Sequence, residues 1–375
     1  MIIDADRHIQ EPGDLWQRGL PDHLRARGPR MIARGGGLGI LIGDHSVPPP
    51  AYRAAVIPRA EPVARFAPFA RRRFSADAQI EAMDSEAIDV AILFPTLGLL
   101  VMGADDVDCE ITTASARVYN DWLAEYCREA SGRLFGVAMI DPRDVDGACA
   151  EARRAIDDLG FVAVFMRPNP VLSRRWSDPA YDPLWSTLED LDVPVCWHEG
   201  SVSALPQVGP GRLGYRFPVW HVASHPMEQQ LVLIDLVMEG VLERHPRLRC
   251  GFMECGATWL PYYLWRLDEH AALDLRGWRD EDELELPLRP SQYVLRQCWV
   301  SAESDETHLA HTLGVTHAAN VMWASDFPHA DATYPGAIAE FRTITGMTDA
   351  YADAVLCSNP LSFYGPRLKR AVLSR

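Results

Sequence analysis

The chain has 375 residues, and 36 Lys and Arg stand against 52 Asp and Glu, a formal net charge of −16. A surface of that sign repels phosphate backbones and anionic lipid, so nucleic acid and membrane surfaces are excluded as expected partners. Hydrophobic residues make up 48% and aromatic residues 9%, enough for a large core and too many for a disordered chain.

In chain order, the start MIIDADRHIQEP carries charges where a secretory signal needs an apolar stretch, so a cytoplasmic protein is expected. The first strand is predicted over Met1–Asp6. Residues 30–47 (RMIARGGGLGILIGDHSV) read as a small glycine-rich hairpin, and 48–73, rich in Pro, Ala and Arg, as a segment running over the mouth of the fold. Together 30–73 are expected to form an insertion and lid. Apolar runs then alternate with helical periodicity. Strands are predicted over Ile88–Phe94, Leu134–Ile140, Phe161–Met166, Val193–His198, Leu248–Glu254, Cys298–Glu303 and Asn320–Asp326. Between and after them come helices over Asp77–Ala87, Val107–Ser131, Val145–Leu159, Tyr181–Leu191, Met227–His245, Thr258–Leu273, Asp305–Leu313 and Pro335–Thr345. Residues 201–220 form a long Gly/Pro loop, read as a second lid. The longest apolar run, Val90 to Ala104, is broken by Pro95 and Gly98 and falls short of the ~20 residues of a membrane span.

Eight alternating units predict an α/β fold with parallel strands and right-handed crossovers. A closed (β/α)8 barrel of the TIM type, one domain over residues 1–375, is favoured over an open sheet. No G-x-G-x-x-G follows the first strand, which weakens a dinucleotide-binding alternative. The eight cysteines (Cys109, Cys127, Cys149, Cys196, Cys250, Cys255, Cys298, Cys357) form no C-x-x-C. Several lie in apolar runs, so buried thiols in a reducing compartment are expected rather than a zinc ribbon or disulfide framework. Lys369 is the only lysine, close to the C-terminus. A Schiff-base lysine, a phosphate-loop lysine or a carbamylated metal-bridging lysine is therefore not expected.

In such a barrel, function collects at the C-terminal ends of the strands. Strand one ends Asp6-Arg7-His8, with Asp6 and His8 on one face. Strand five ends Trp197-His198-Glu199, strand six Met253-Glu254-Cys255, and strand eight runs into Ser325-Asp326-Phe327-Pro328-His329. Asp6, His8, His198 and Asp326 make a set of two imidazoles and two carboxylates. With one open position it could hold water and lower its pKa toward neutrality, Asp326 acting as ligand or as base. Zinc, manganese and ferrous iron all suit it.

A second group is His221-Val-Ala-Ser-His225-Pro226. On a helix, i and i+4 share a face, though Pro226 threatens that helix. With Glu254 the two imidazoles have the composition of a non-haem iron triad. Three readings stay open: pocket-lining or capping residues, a second metal site (one or two ions per chain), or an acid/base pair in which Glu254 or His225 moves protons. Arg167, ending strand four, is expected to clamp a substrate carboxylate or to pair with a nearby Asp. Glu199 and Glu303 either support the metal site or serve as solvent-facing and helix-capping carboxylates. His329 bonds substrate or orients Asp326. Trp220, like Trp197, Trp259 and Trp323, either packs or offers an apolar face to the substrate.

The stretches DADRHIQEP, CWHEG, GVLERHPRLRCGFMECGATWLPY and WASDFPH resemble the amidohydrolase superfamily. The branch resembled contains aminocarboxymuconate-semialdehyde decarboxylase and the resorcylate-type decarboxylases, and the resemblance runs from the first strand to about Phe363. It implies a distorted barrel with a divalent metal at its mouth, an acid-x-His pair matched by Asp6 and His8, a fifth-strand His matched by His198, and an eighth-strand Asp matched by Asp326. The decarboxylases place a sixth-strand histidine beside the metal; this chain has Glu254 there. The branch often forms dimers, so a homodimer is a possible assembly.

The expected activity is metal-assisted hydrolysis or non-oxidative decarboxylation of a small, carboxylated, partly apolar molecule, with Glu254, His225, Asp326 and Arg167 acting on it. The alternative is a dinuclear non-haem iron oxygenase, a monooxygenase with its second metal on His221, His225 and Glu254. A non-catalytic binding protein is the third reading.

Overall fold

The computed structural model describes residues 1–34, 37–47, 57–58, 64–130, 132–200, 208–214, 217–272 and 286–373. Eight strands form the barrel: β1 (Ile3–His8), β2 (Val90–Phe94), β3 (Leu134–Met139), β4 (Ala163–Met166), β5 (Val195–Trp197), β6 (Cys250–Phe252), β7 (Cys298–Ala302) and β8 (Val321–Trp323). Each pairs in parallel with the next. Two backbone hydrogen bonds, Asp326 N to Asp6 O at 3.2 Å and His8 N to Phe327 O at 2.8 Å, tie the chain after β8 back to β1. Every residue of β2, β4, β5, β6 and β8 is buried, as expected of parallel strands covered on both faces.

The predicted strands survive but β5, β6 and β8 are shorter than their apolar runs. At the ends of β6 and β8 the reason is the backbone. Glu254 and Asp326 have φ of 51° and 52°, in the left-handed region, so neither can extend a strand. The helix predicted over Met227–His245 is instead Phe217–Met238, followed by Gly240 at φ 74° and a short turn Val241–Arg244. Pro226 lies inside that helix without ending it, contrary to the expectation from its sequence. The missing N–H costs one helical bond, and the helix continues on either side. The final helix, Asn359–Leu373, was not predicted; its Tyr364 hydroxyl donates to Ala5 O at 2.6 Å across the core.

The glycine-rich segment is more than a hairpin. Arg30–Arg34, Gly37–Ile42 and His45–Val47 form an antiparallel meander, with Ile57–Pro58 pairing on Gly37–Leu38. Ile40, Ile42 and Val47 are buried in the barrel's own core. Most of 48–63, and residues 201–207 and 215–216 of the second expected lid, lie outside the described residues. Residues 64–74 do reach the mouth. Phe66 and Phe69 pack edge-to-face on Phe327, with ring centroids 5.2 and 5.6 Å away. All eight cysteines are free thiols. Among the described residues no helix is long and apolar enough to cross a membrane.

One buried ion-pair network sits where β3 leaves the barrel. Asp141 accepts from Arg143 Nη2 at 2.7 Å and from Thr112 Oγ1 at 2.5 Å. Burial works against the Asp141 charge, but the Arg143 guanidinium outweighs it and holds the carboxyl below its usual value. The folded state thus binds fewer protons than the unfolded state near the ordinary carboxylate pKa of about 4, so this stability is present above that pH and is lost as pH falls through the lowered folded value. Asp141→Asn is expected to cost about 3 kcal/mol at neutral pH and to flatten the acid limb of the stability curve. Denaturant melts between pH 3 and 7 give the measurement; an unchanged acid limb contradicts the assignment.

Candidate metal centre and its cavity

The register of β1 against β2 is irregular between Asp4 and Arg7. Asp6 and His8 both end in the barrel's interior, and both are wholly buried. His8 Nδ1 bonds Pro95 O at 2.8 Å, and His198 Nδ1 bonds Glu199 O at 3.0 Å. These carbonyls can only accept, so they put the protons on Nδ1 and leave both Nε2 atoms as bare lone pairs. The two Nε2 atoms face each other at 3.2 Å. Around them stand Asp6 Oδ1 (3.6 Å from His8 Nε2), Asp6 Oδ2 (3.5 Å from His198 Nε2) and Asp326 Oδ1 (3.2 Å from His8 Nε2). Asp6 Oδ1 is buried with no hydrogen-bond donor.

Converging lone pairs and an orphaned carboxylate oxygen are repulsive by themselves and fit a cation among them. Asp6, His8 and His198 have ligand atoms within 4.8 Å of one another, as do His8, Asp326 and His329. The electrostatics agree. Burial drives His198 down to about 3, so its imidazole is neutral. Burial, then the carboxylates of Asp326, Glu254 and Asp4, pushes the Asp6 carboxyl well above its usual range. Asp326 pairs with His329, Nδ1 to Oδ1 at 2.8 Å. Burial opposes both charges, but each partner outweighs it, holding Asp326 low and His329 up at about 10. His329 Nε2 meets Thr96 Oγ1 at 3.2 Å and its ring stacks on His8 at 3.9 Å, so His329 orients this corner.

A third cluster, His221, His225 and Glu254, also has ligand atoms within 4.8 Å. Helix Phe217–Met238 puts the two imidazoles on one face, ring centroids 4.3 Å apart. Glu254 Oε2 lies 3.3 Å from His225 Nε2 and 3.5 Å from His198 Nε2. Burial lowers His221 to about 4. It pulls on His225 too, but the Glu254 carboxylate outweighs it and holds that imidazole at about 9. Outside this corner opens a cavity of about 320 Å³, whose wall includes His221, His225, Glu254 and Asp326. Glu303 lies on the wall and is exposed.

Arg167 is not brought to this cavity. It is buried, bonded to Asp105 Oδ1 at 2.5 Å and to the carbonyls of Met102 and Pro170, and lines a separate small pocket beside Asp141 and Arg143. A guanidinium so fully engaged has few donors left to clamp a substrate. Trp220 is also buried away from the cavity wall, and Trp197 and Trp323 are core residues. Glu199 is buried beside His198 rather than facing solvent.

Several residues that shape the site were not singled out from the sequence. Asp4 accepts from Ser325 N at 2.9 Å and Oγ at 2.5 Å, and from Arg7 Nη1 at 3.3 Å. Arg7 Nε donates to Gln79 Oε1 at 2.7 Å, Gln79 donates to His8 O at 2.9 Å, and the guanidinium lies 4.0 Å over the Phe327 ring. This buried network therefore grips both His8 and the turn carrying Asp326. Gln229 Nε2 bridges Trp197 O at 2.9 Å and Met253 O at 3.2 Å, fixing the ends of β5 and β6. Glu11 accepts backbone N–H groups of Leu97 and Gly98 at 2.9 and 2.8 Å, holding the loop whose Pro95 carbonyl orients His8. The alternation of Asp4 with Asp6 in β1 was the available signal for the first; the others are invisible without the fold.

A family model described as amidohydrolase matches residues 3–365. Gamma-resorcylate decarboxylase of a Rhizobium species is 31% identical over 204 residues, 52% of this chain and 60% of that protein. The match thus spans less than two thirds of that relative's length. An amidohydrolase structure from Mycobacterium avium subsp. paratuberculosis superposes with a TM-score of 0.76 at 23% identity, over 97% of this chain and 99% of the other. A 5-carboxyvanillate decarboxylase from Novosphingobium aromaticivorans, complexed with manganese and 4-hydroxy-3-methoxy-5-nitrobenzoic acid, superposes at 0.71 with 20% identity, over 97% and 96%.

Proposed function

Because the chain belongs to the amidohydrolase family, we propose that it is a metal-dependent, non-oxidative decarboxylase of a small hydroxylated aromatic acid. The observation that carries this is the convergence of His8 and His198 Nε2 atoms at 3.2 Å beside Asp6 and Asp326, the last of which lines a cavity of about 320 Å³, room for a single ring. Hydrolysis, which the ligand set alone also permits, is the second choice because the named relatives at this similarity act on aromatic carboxylates. None of the relatives named above is an oxygenase.

Asp6, His8, His198 and Asp326 would hold the ion. Held there, it would supply Lewis acidity toward the substrate's oxygens. Manganese is the first ion to try, being the one in the Novosphingobium complex. Among the described cavity residues there is no lysine or arginine, and the protonated imidazole on the wall, His225, is paired with Glu254. The reaction replaces a carboxylate by a proton: the C–C bond to the carboxylate breaks, CO2 leaves, and the ring carbon gains H⁺. His329 Nδ1 lies 2.8 Å from Oδ1 of Asp326, whose side chain is on the cavity wall, and this pair is assigned the delivery of that proton. Phe66, Phe69 and Phe327 shield the far side of that corner from water.

The test is CO2 release from 2,6-dihydroxybenzoate and 5-carboxyvanillate by manganese-loaded protein. Turnover abolished by chelation and restored by Mn²⁺ is the expected result. Turnover that survives complete metal removal, or no CO2 from any hydroxybenzoate by the loaded protein, overturns the reading.

A further inference from the structure

We propose that the cavity holds a second divalent ion, bound by His221, His225 and Glu254, beside the first. This rests on the metal-dependent reading above. Three features lead to it. The first is composition: two imidazoles and a carboxylate with mutual distances within 4.8 Å are a complete facial set, two from one helix face and one from the end of β6. The second is Glu254 itself. Its Oε2 lies 3.3 Å from His225 Nε2 and 3.5 Å from His198 Nε2, so one carboxylate oxygen borders both ligand clusters, the position a bridging carboxylate occupies. Its left-handed φ of 51° turns the side chain out of the strand direction toward that seam, and Ser301 Oγ accepts from its N–H at 2.9 Å to keep it there. The third is charge. The cavity wall carries Glu254, Glu303, Asp305, Glu306, Asp326 and Asp331, with no lysine or arginine among the described lining residues.

The chain's one lysine, Lys369, lies close to the C-terminus, so no lysine-derived bridge is available at the centre and the bridging position falls to Glu254. With both groups of residues loaded, a two-ion centre would supply positive charge on two sides of an anionic substrate.

The experiment is titration of metal-free, full-length protein with Mn²⁺, followed by desalting, elemental analysis and EPR. Wild type is expected to retain about two ions per chain with an exchange-coupled spectrum, and His225→Ala and Glu254→Gln about one, with an uncoupled six-line signal. His221→Ala is a second probe at a half-buried position, with circular dichroism as the folding control. Wild type saturating at about one ion, or variants that keep the coupled pair, overturns the second site and leaves the single-metal reading intact. Failure to bind any Mn²⁺ or Zn²⁺ removes both.

Discussion

Asp6→Asn is expected to abolish tight metal binding while raising the melting temperature of the metal-free protein. Asp6 is buried, and burial together with Asp326, Glu254 and Asp4 pushes its carboxyl well above the usual range. Without a cation the ionised form therefore costs stability, and an isosteric amide removes that cost. A gain of about 1–2 kcal/mol corresponds to a rise of about 1–3 °C in a chain of this size. With the ion present the order reverses, because the wild type gains binding energy that the variant has lost. Activity should fall by more than the ~100-fold that follows loss of an outer partner. His198→Ala sharpens the test. It too should lose the ion, but it empties a fully buried position and should melt lower, not higher. Thermal melts with chelator and with Mn²⁺ separate the two; an Asp6→Asn protein that melts lower without metal contradicts the electrostatic account.

Arg7→Met should be the most destabilising change outside the metal ligands, by about 3–5 kcal/mol, because it leaves Asp4 charged and buried without its partner. Arg7 and Asp4 are both buried, and the guanidinium also holds Gln79 and covers Phe327. Since Asp4 grips Ser325, and Ser325 precedes Asp326, metal affinity should drop ~10–100-fold although Arg7 touches no ligand atom assigned to the ion. The double variant Asp4→Asn/Arg7→Met should be less damaging than the sum of the single changes by about 1–2 kcal/mol. Denaturant titration and Mn²⁺ binding of all three variants form the cycle; strictly additive losses with unchanged affinity would sink the positioning role.

The barrel was legible because its signals are local. An apolar run bounded by helical periodicity is a strand wherever it falls, and all eight such runs pair in order. His8 and His198 were legible for a related reason: a polar, metal-capable side chain at the end of a buried strand is out of place unless it serves the mouth. Arg167 satisfied the same rule, but of its two readings the pairing with an Asp holds: Asp105, in another loop, takes the guanidinium away from the cavity. Pro226 misled in the opposite sense, as one lost backbone bond is small against the packing of a long helix.

By itself, then, the sequence determined the order of the strands and the identity of the groups at their ends, because each follows from periodicity and composition within a few residues. Only the tertiary structure decided which of those groups meet. His225 reaches Glu254, and Glu254 reaches His198, because a left-handed residue at the end of β6 turns one carboxylate into the seam between two elements. Arg7 meets Asp4 and Ser325 because the chain after β8 closes on β1. Such contacts join residues far apart in the chain, and their geometry is set by barrel closure rather than by local pattern.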